Sequence, residues 1–113
     1  MIVLQFIPSL NAYDGGTTTY MQQLAPALGQ LCTLHVCALG QTADFVKLEG
    51  CEVHGIMGSL WHYRQMRREW MSLLEQLQPD VVHFNCCWMP QVAWAIGWTC
   101  RYAVQHPEHP VCK

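Results

Sequence analysis

The chain has 113 residues, of which 51% are hydrophobic and 12% are charged, and its formal net charge is -2. This composition predicts one globular domain with a large core and excludes a disordered chain. The weak negative charge argues against a nucleic-acid partner, which would require a basic face. No apolar run is long enough to span a membrane, and no basic segment precedes the short N-terminal run. We therefore expect a cytoplasmic protein without a signal peptide.

The number of cysteines is odd, which argues against a disulfide framework. The chain has seven cysteines and no C-x-x-C pair. Five of them lie within or beside apolar segments: Cys32, Cys37, Cys51, Cys100 and Cys112. This pattern predicts reduced, buried thiols with a packing role.

Apolar periodicity predicts strands and helices that alternate along the chain. Short apolar runs predict strands over residues 2–7, 31–39, 51–56 and 80–84. Apolar residues at steps of three and four predict helices over residues 17–30, 60–78 and 90 to about 104. Pro26 predicts a kink or an early end in the first helix, and Pro79 should stop the second. Residues 40–50 should form a turn with a short helix, and residues 111–113 resemble the start of a further strand.

The same periodicity predicts which side chains face the core. In the first helix the apolar stripe contains Tyr20, Met21, Leu24, Ala27 and Leu28. In the second helix it contains Tyr63, Met66, Trp70, Leu73 and Leu77.

Alternating strands and helices predict an α/β, Rossmann-like, doubly wound fold. We expect a mostly parallel sheet of about four strands in the order 3-2-1-4, with helices on both faces and a truncated fifth strand. In this order the first and fourth strands are neighbours, and the chain leaves them in opposite directions. Ligands bind at such a switch point, beyond the carboxyl ends of the strands.

Two segments separated in sequence should therefore line one crevice. Its candidate residues are Asn11, Asp14, Gly15, Gly16 and Thr17 from the first segment, and His83, Asn85 and Trp88 from the second. Amide and carboxylate groups suit sugar hydroxyls, and a Trp face suits a sugar ring. The glycine pair permits close approach to a helix N-terminus, which favours anionic groups. No Lys or Arg precedes Lys47, so a diphosphate would have only backbone dipoles at this site.

Several candidates also have a purely structural interpretation. The glycine pair is compatible with a tight turn, and His83 is favoured as a hydrogen-bonded strand residue over a catalytic one. Arg64, Arg67 and Arg68 favour a solvated helix face over a membrane-facing patch. Two prolines interrupt the His106, His109 and Cys112 spacing, so no metal site is expected. No catalytic residue is assigned.

Two segments carry a family resemblance. The first is LQFIPSL (residues 4–10), followed by Gly15-Gly16, Tyr20 and the apolar helix. The second is PDVVHFN (residues 79–85), followed by Trp88 and Pro90. Together, in this order and at this distance, they resemble the N-terminal, acceptor-side domain of the retaining family-four glycosyltransferases, which have the GT-B fold. The resemblance covers essentially the whole chain.

The resemblance implies a two-domain hexosyltransferase of polysaccharide biosynthesis. Such an enzyme transfers a sugar from a nucleotide-sugar to a saccharide or lipid-linked acceptor with retention, and it needs no metal or other cofactor. The glycine loop would lie near the donor diphosphate and the acceptor. A lipid-linked acceptor would bring the protein into peripheral contact with the inner face of the membrane.

The chain also departs from the family pattern. Asn85 stands where many members have a histidine, and residues 29–33 replace the usual R-G-H-E-V turn. The family's fifth-strand histidine and its C-terminal donor-binding domain are not present in residues 1–113. We therefore expect a partial N-terminal domain that is inactive alone. Two alternatives remain open: a small nucleotide- or flavin-binding module without catalysis, and an inactive remnant of the fold.

Overall fold

The computed structural model describes residues 1–11, 15–85 and 89–105. Within these residues, strands and helices alternate as the sequence predicts. The elements are β1 (Ile2–Ile7), α1 (Gly15–Leu28), β2 (Thr33–Leu39), β3 (Glu52–Ile56), α2 (Tyr63–Leu77), β4 (Val81–Phe84) and α3 (Pro90–Gln105). Short 3-10 turns occupy Thr42–Asp44 and Leu60–His62. The predicted strand at residues 111–113 lies outside the described residues.

The four strands form one parallel sheet in the order β3-β2-β1-β4, which confirms the predicted fold class and strand order. The central strand β1 pairs with β2 on one side and with β4 on the other. Phe6 lies opposite Cys37 in β2 and opposite Phe84 in β4. A parallel strand that is covered on both faces reads as a nearly continuous apolar run, and the IVLQFI sequence of β1 has this form.

Alternate residues of β1 point into two separate cores. Leu4 and Phe6 pack on the face that α2 and α3 cover, whereas Val3 and Ile7 pack on the face that α1 covers. The first core also contains Met66, Trp70, Leu73, Leu74, Val92, Ala95, Trp98 and Tyr102 from the two helices. Helices on both faces confirm the doubly wound arrangement.

Helix α1 departs in detail from its prediction. It begins at Gly15 rather than at Thr17, and it ends at Leu28, soon after Pro26, as the proline predicts. The predictions that Tyr20 and Ala27 face the core are wrong, because Tyr20 is 49% exposed and Ala27 is exposed as well. The inward stripe instead runs through Thr18, Met21 and Ala25, so the buried face is centred one residue away from Tyr20.

Helix α2 ends where the sequence predicts. Gln78 follows its last residue in the left-handed conformation, at φ 46°, and its N–H donates to the Leu74 carbonyl. The inward residues of α2 are Met66, Trp70, Leu73 and Leu74. Tyr63 is less buried than predicted, and it packs edge-on against Trp94 of α3 with ring centroids 4.9 Å apart.

A buried polar link joins α2 to α3. The Trp70 indole Nε1–H donates to Thr99 Oγ1 at 3.0 Å, and the Thr99 hydroxyl donates to the Ala95 carbonyl at 2.7 Å. The Trp70 ring also meets Phe6 in a T-shaped contact with centroids 5.2 Å apart. Trp70 therefore ties the helix layer both to the central strand and to the neighbouring helix.

The described cysteines are unpaired thiols, as the sequence predicts, but only Cys37 is buried and the other three are partly exposed. They are Cys32, Cys37, Cys51 and Cys100, whereas Cys86, Cys87 and Cys112 lie outside the described residues. Burial, reinforced by the Glu69 carboxylate, raises the pKa of the Cys37 thiol well above its ordinary value. Burial also raises the pKa of Cys51. Both residues are therefore neutral and poorly nucleophilic at neutral pH.

The described helices include none that is both long and apolar enough to cross a bilayer.

The Thr99→Val variant tests the link between α2 and α3. It leaves the buried Trp70 N–H without its acceptor, so we expect a loss of about 1–3 kcal/mol in the free energy of unfolding. Urea denaturation followed by circular dichroism measures this loss. The exposed Thr33→Val variant is the control and should change stability by less than about 0.5 kcal/mol. Equal stability of the Thr99→Val variant and the wild type would contradict the assigned role.

The outer edge of β4 generates a second prediction. In the described part of the chain, β4 pairs only with β1, and Val81, Val82 and Phe84 make it apolar. Because an unpaired apolar edge is a template for intermolecular strand pairing, we expect isolated residues 1–113 to self-associate. Light scattering at roughly tens of micromolar concentration should detect oligomers. A monodisperse monomer is the contrary result.

Candidate functional site

The carboxyl ends of β1 and β4 lie side by side at one edge of the sheet. The Asn85 backbone N–H, just after β4, donates to the Phe6 carbonyl of β1 at 3.0 Å. From this edge the chain diverges, because α1 covers one face of the sheet and α3 covers the other. The structure therefore places a topological switch point between β1 and β4, the position at which open α/β sheets bind ligands.

The predicted site residues divide into three groups. Asn11, His83 and Asn85 lie within the described residues: His83 in β4, Asn85 directly after β4, and Asn11 in the segment that follows β1. Gly15, Gly16 and Thr17 form the first turn of α1, so their backbone N–H groups belong to the helix N-terminus. Asp14 and Trp88 lie outside the described residues.

The segment after β1 is anchored to α1. The Thr18 hydroxyl, buried at 3% exposure, donates to the Asn11 carbonyl at 2.9 Å. The Asn11 N–H donates to Ser9 Oγ at 3.1 Å. On the other side, the Leu10 carbonyl accepts from the Val46 N–H at 2.9 Å. These bonds hold the backbone of Asn11 beside the start of α1.

A side-chain network across the two strands centres on Gln5. Asn85 Nδ2 donates to the Phe6 carbonyl at 3.0 Å and to Gln5 Oε1 at 2.9 Å. His83 Nδ1 lies 2.8 Å from the same Gln5 oxygen. Gln5 is 5% exposed, so its amide is a buried polar group that the two β4-side residues satisfy.

This network fixes the tautomer of His83. The Phe6 carbonyl can only accept, so the Asn85 atom that faces it must be the amide nitrogen. The Gln5 atom that faces this nitrogen must then be an acceptor, which requires His83 Nδ1 to carry a proton. In neutral His83, the lone pair therefore resides on Nε2. The side chain is exposed, so this nitrogen can accept a hydrogen bond from a ligand.

His83 is thus hydrogen-bonded within the fold, although its partner is a strand residue rather than a loop residue. Asn85 Oδ1 makes no hydrogen bond within the described part of the chain. The site therefore presents two acceptors, His83 Nε2 and Asn85 Oδ1, in positions fixed by Gln5.

Sequence reasoning missed Gln5 and Thr18 as site residues. Gln5 interrupts the apolar run of β1, and a polar side chain in a buried strand requires a partner. That interruption was a usable signal. Thr18 gave no comparable signal, because its partner is a backbone carbonyl.

Comparison of the chain with known protein families, curated protein sequences and solved structures found no match.

Two open grooves, each about 460 Å³ in volume, share no residue with the β1–β4 edge. One lies on α2 and is lined by Tyr63, Arg64, Arg67, Arg68 and Met71. The other lies between β3 and α2, where it borders His54 and Glu69. The β1–β4 edge is identified by its topology and its hydrogen bonds, not by the depth of a cavity.

Nitrogen NMR of the histidine rings tests the Gln5 network. At a pH where His83 is neutral, we expect its proton on Nδ1, because Gln5 Oε1 accepts from that atom. Gln5→Leu removes the acceptor and should abolish this tautomer preference in long-range proton–nitrogen spectra. The signals of the exposed His62 should be the same in both proteins. A His83 that carries its proton on Nε2 in the wild type would contradict the network.

Proposed function

We propose that this chain is the acceptor-side domain of a retaining, GT-B-type glycosyltransferase. The enzyme would transfer a sugar from a nucleotide-sugar to a saccharide or lipid-linked acceptor. The single observation that carries the proposal is the switch point between β1 and β4, where Gln5 holds His83 and Asn85 and from which the chain continues from β1 to α1. Both sequence segments that resemble the glycosyltransferases meet at this edge.

The polar groups at the edge suit an acceptor sugar. Sugar hydroxyls donate as well as accept, so they can pair with His83 Nε2 and Asn85 Oδ1. Because Gln5 and the Phe6 carbonyl hold the Asn85 amide, little side-chain freedom remains to be lost when a sugar binds. Asn85 would therefore bind acceptor, and His83 would accept a hydrogen bond without acting as the nucleophile.

The donor phosphates require charges that this edge does not supply. Residues 1–46 contain no Lys or Arg, and neither do residues 80–100. The N-terminus of α1, which begins with Gly15 and Gly16, contributes only the partial positive charge of its backbone amides. We therefore assign the cationic phosphate contacts to a second, donor-binding domain, as the family resemblance implies.

We place the reaction in the cytoplasm. With a lipid-linked acceptor it would take place at the inner face of the membrane. The exposed Arg64, Arg67 and Arg68 of α2 are the groups available there for anionic headgroups.

Sugar transfer is the direct test, with the chain expressed in the longest reading frame that contains it. A panel of labelled nucleotide-sugars is offered with saccharide and lipid-linked acceptors, and the anomeric configuration of the product is determined by NMR. We expect transfer with retention. Asn85→Ala should lower kcat/KM by about 10-fold through the loss of a substrate hydrogen bond. His62→Ala, on the exposed 3-10 turn, is the matched control and should leave kcat/KM unchanged.

Inversion at the anomeric carbon, or full activity in Asn85→Ala, would refute the proposal. The alternative of a nucleotide- or flavin-binding module requires a phosphate site that is complete within residues 1–113. Titration of this chain alone with nucleotides and flavins addresses that alternative. Micromolar binding without any sugar transfer would favour the module over the glycosyltransferase.

A further inference from the structure

A second polar cluster lies on the other side of the sheet, between β2 and the edge strand β3. Register pairing places His35 of β2 opposite Glu52 of β3, and Cys37 opposite His54. Glu52 and His54 are two residues apart on one strand, so their side chains emerge on the same face. His35 belongs to that face too, because it is the register partner of Glu52.

The three side chains converge on one point. His35 Nδ1 lies 3.0 Å from His54 Nε2 and 3.5 Å from Glu52 Oε2. One ligand-type atom from each residue lies within 4.8 Å of the other two. The imidazole rings are stacked, with centroids 5.2 Å apart and an interplanar angle of 30°.

We propose that His35, Glu52 and His54 bind one divalent transition-metal ion, with Zn²⁺ as the best fit and water as the fourth ligand. Two histidines and one carboxylate form a known ligand set for zinc sites that keep an open position. With metal–ligand bonds of about 2.0–2.2 Å, neighbouring ligand atoms of a tetrahedron are roughly 3.3–3.6 Å apart. The distances from His35 Nδ1 to His54 Nε2 and to Glu52 Oε2, 3.0 Å and 3.5 Å, lie close to this range.

The exposure of the two ligands next to His54 differs. The His35 side chain is only 9% exposed and held in place by packing, whereas the Glu52 side chain is 70% exposed and can swing toward an ion.

The groove between β3 and α2 gives an ion and its water access to the cluster. It borders His54, and Glu69, Arg68 and Gln76 of α2 also line it. Of these, Glu69 already accepts hydrogen bonds from the Met57 N–H and from Gln65. This leaves the three clustered residues as the proposed ligands.

The metal site would be independent of the proposed sugar transfer. His35 and Glu52 lie near the amino ends of β2 and β3, whereas the candidate crevice lies at the carboxyl ends of β1 and β4. An ion here would tie the edge strand β3 to β2.

Zinc titration followed at the histidine rings tests the proposal. Because thiols also bind zinc, the readout is the nitrogen NMR spectrum of the imidazoles under reducing conditions, rather than total zinc uptake. We expect the His35 and His54 signals to shift together and to saturate at one equivalent. The signals of His62 and His83 should stay in place.

Two ligand variants and one control complete the experiment. Glu52→Gln and His54→Gln should weaken the zinc-dependent shift of His35 at least ~10-fold, since loss of groups that merely support a metal ligand already costs about 10- to 100-fold. The exposed Glu49→Gln variant should bind like the wild type. Zinc uptake by cysteines alone, with unshifted His35 and His54 signals, would overturn the proposal. Equal zinc affinity of Glu52→Gln and the wild type would also overturn the proposal. Because the Glu52 side chain is exposed, its replacement is not expected to disturb the fold.

Discussion

The pairing of β1 with strands on both of its sides is the constraint on which the rest of the structure depends. β1 hydrogen-bonds to β2 and β4 and contributes to both cores along its length. β2 also pairs on both sides and contributes to both cores, but among the described strands β1 alone joins β4 to the sheet. Because Leu4 and Phe6 serve one core while Val3 and Ile7 serve the other, a shift of one residue in register would exchange these sets. The position of Phe6 against Trp70 and Phe84 makes such a shift costly.

The apolar periodicity of the sequence and the positions of its prolines were sufficient to predict the fold. The apolar runs and the positions of Pro26, Pro79 and Pro90 identified every described strand and helix. The strand order expected for a doubly wound sheet, 3-2-1-4, is the observed one. The orientation of Tyr20 was not predictable. The apolar residues of α1 are mixed with polar ones, so the pattern fixes the rotation of the helix about its axis only to within about one residue.

The side-chain networks were harder to predict than the fold. Gln5 and His83 are 78 positions apart, and only the register of β1 against β4 makes them neighbours. The same holds for His35 and His54, which the β2–β3 register brings together. Sequence spacing reveals a ligand set when its members share one turn or one strand, as Glu52 and His54 do. The third member of such a set is supplied by tertiary pairing.

The Gln5 amide has a consequence for the order in which the domain is assembled. Its two side-chain partners, His83 in β4 and Asn85 just after it, reach it only after the strands β1, β2 and β3 and the helices α1 and α2 have been synthesised. Until β4 has been synthesised, the Gln5 side chain lacks these two partners, and the edge of β1 that pairs with β4 is open to solvent. The pairing of β4 with β1 spans the longest stretch of sequence among the pairings of the described strands, and such long-range contacts form slowly. Formation of the Gln5 network at the β1–β4 edge is therefore coupled to completion of the sheet.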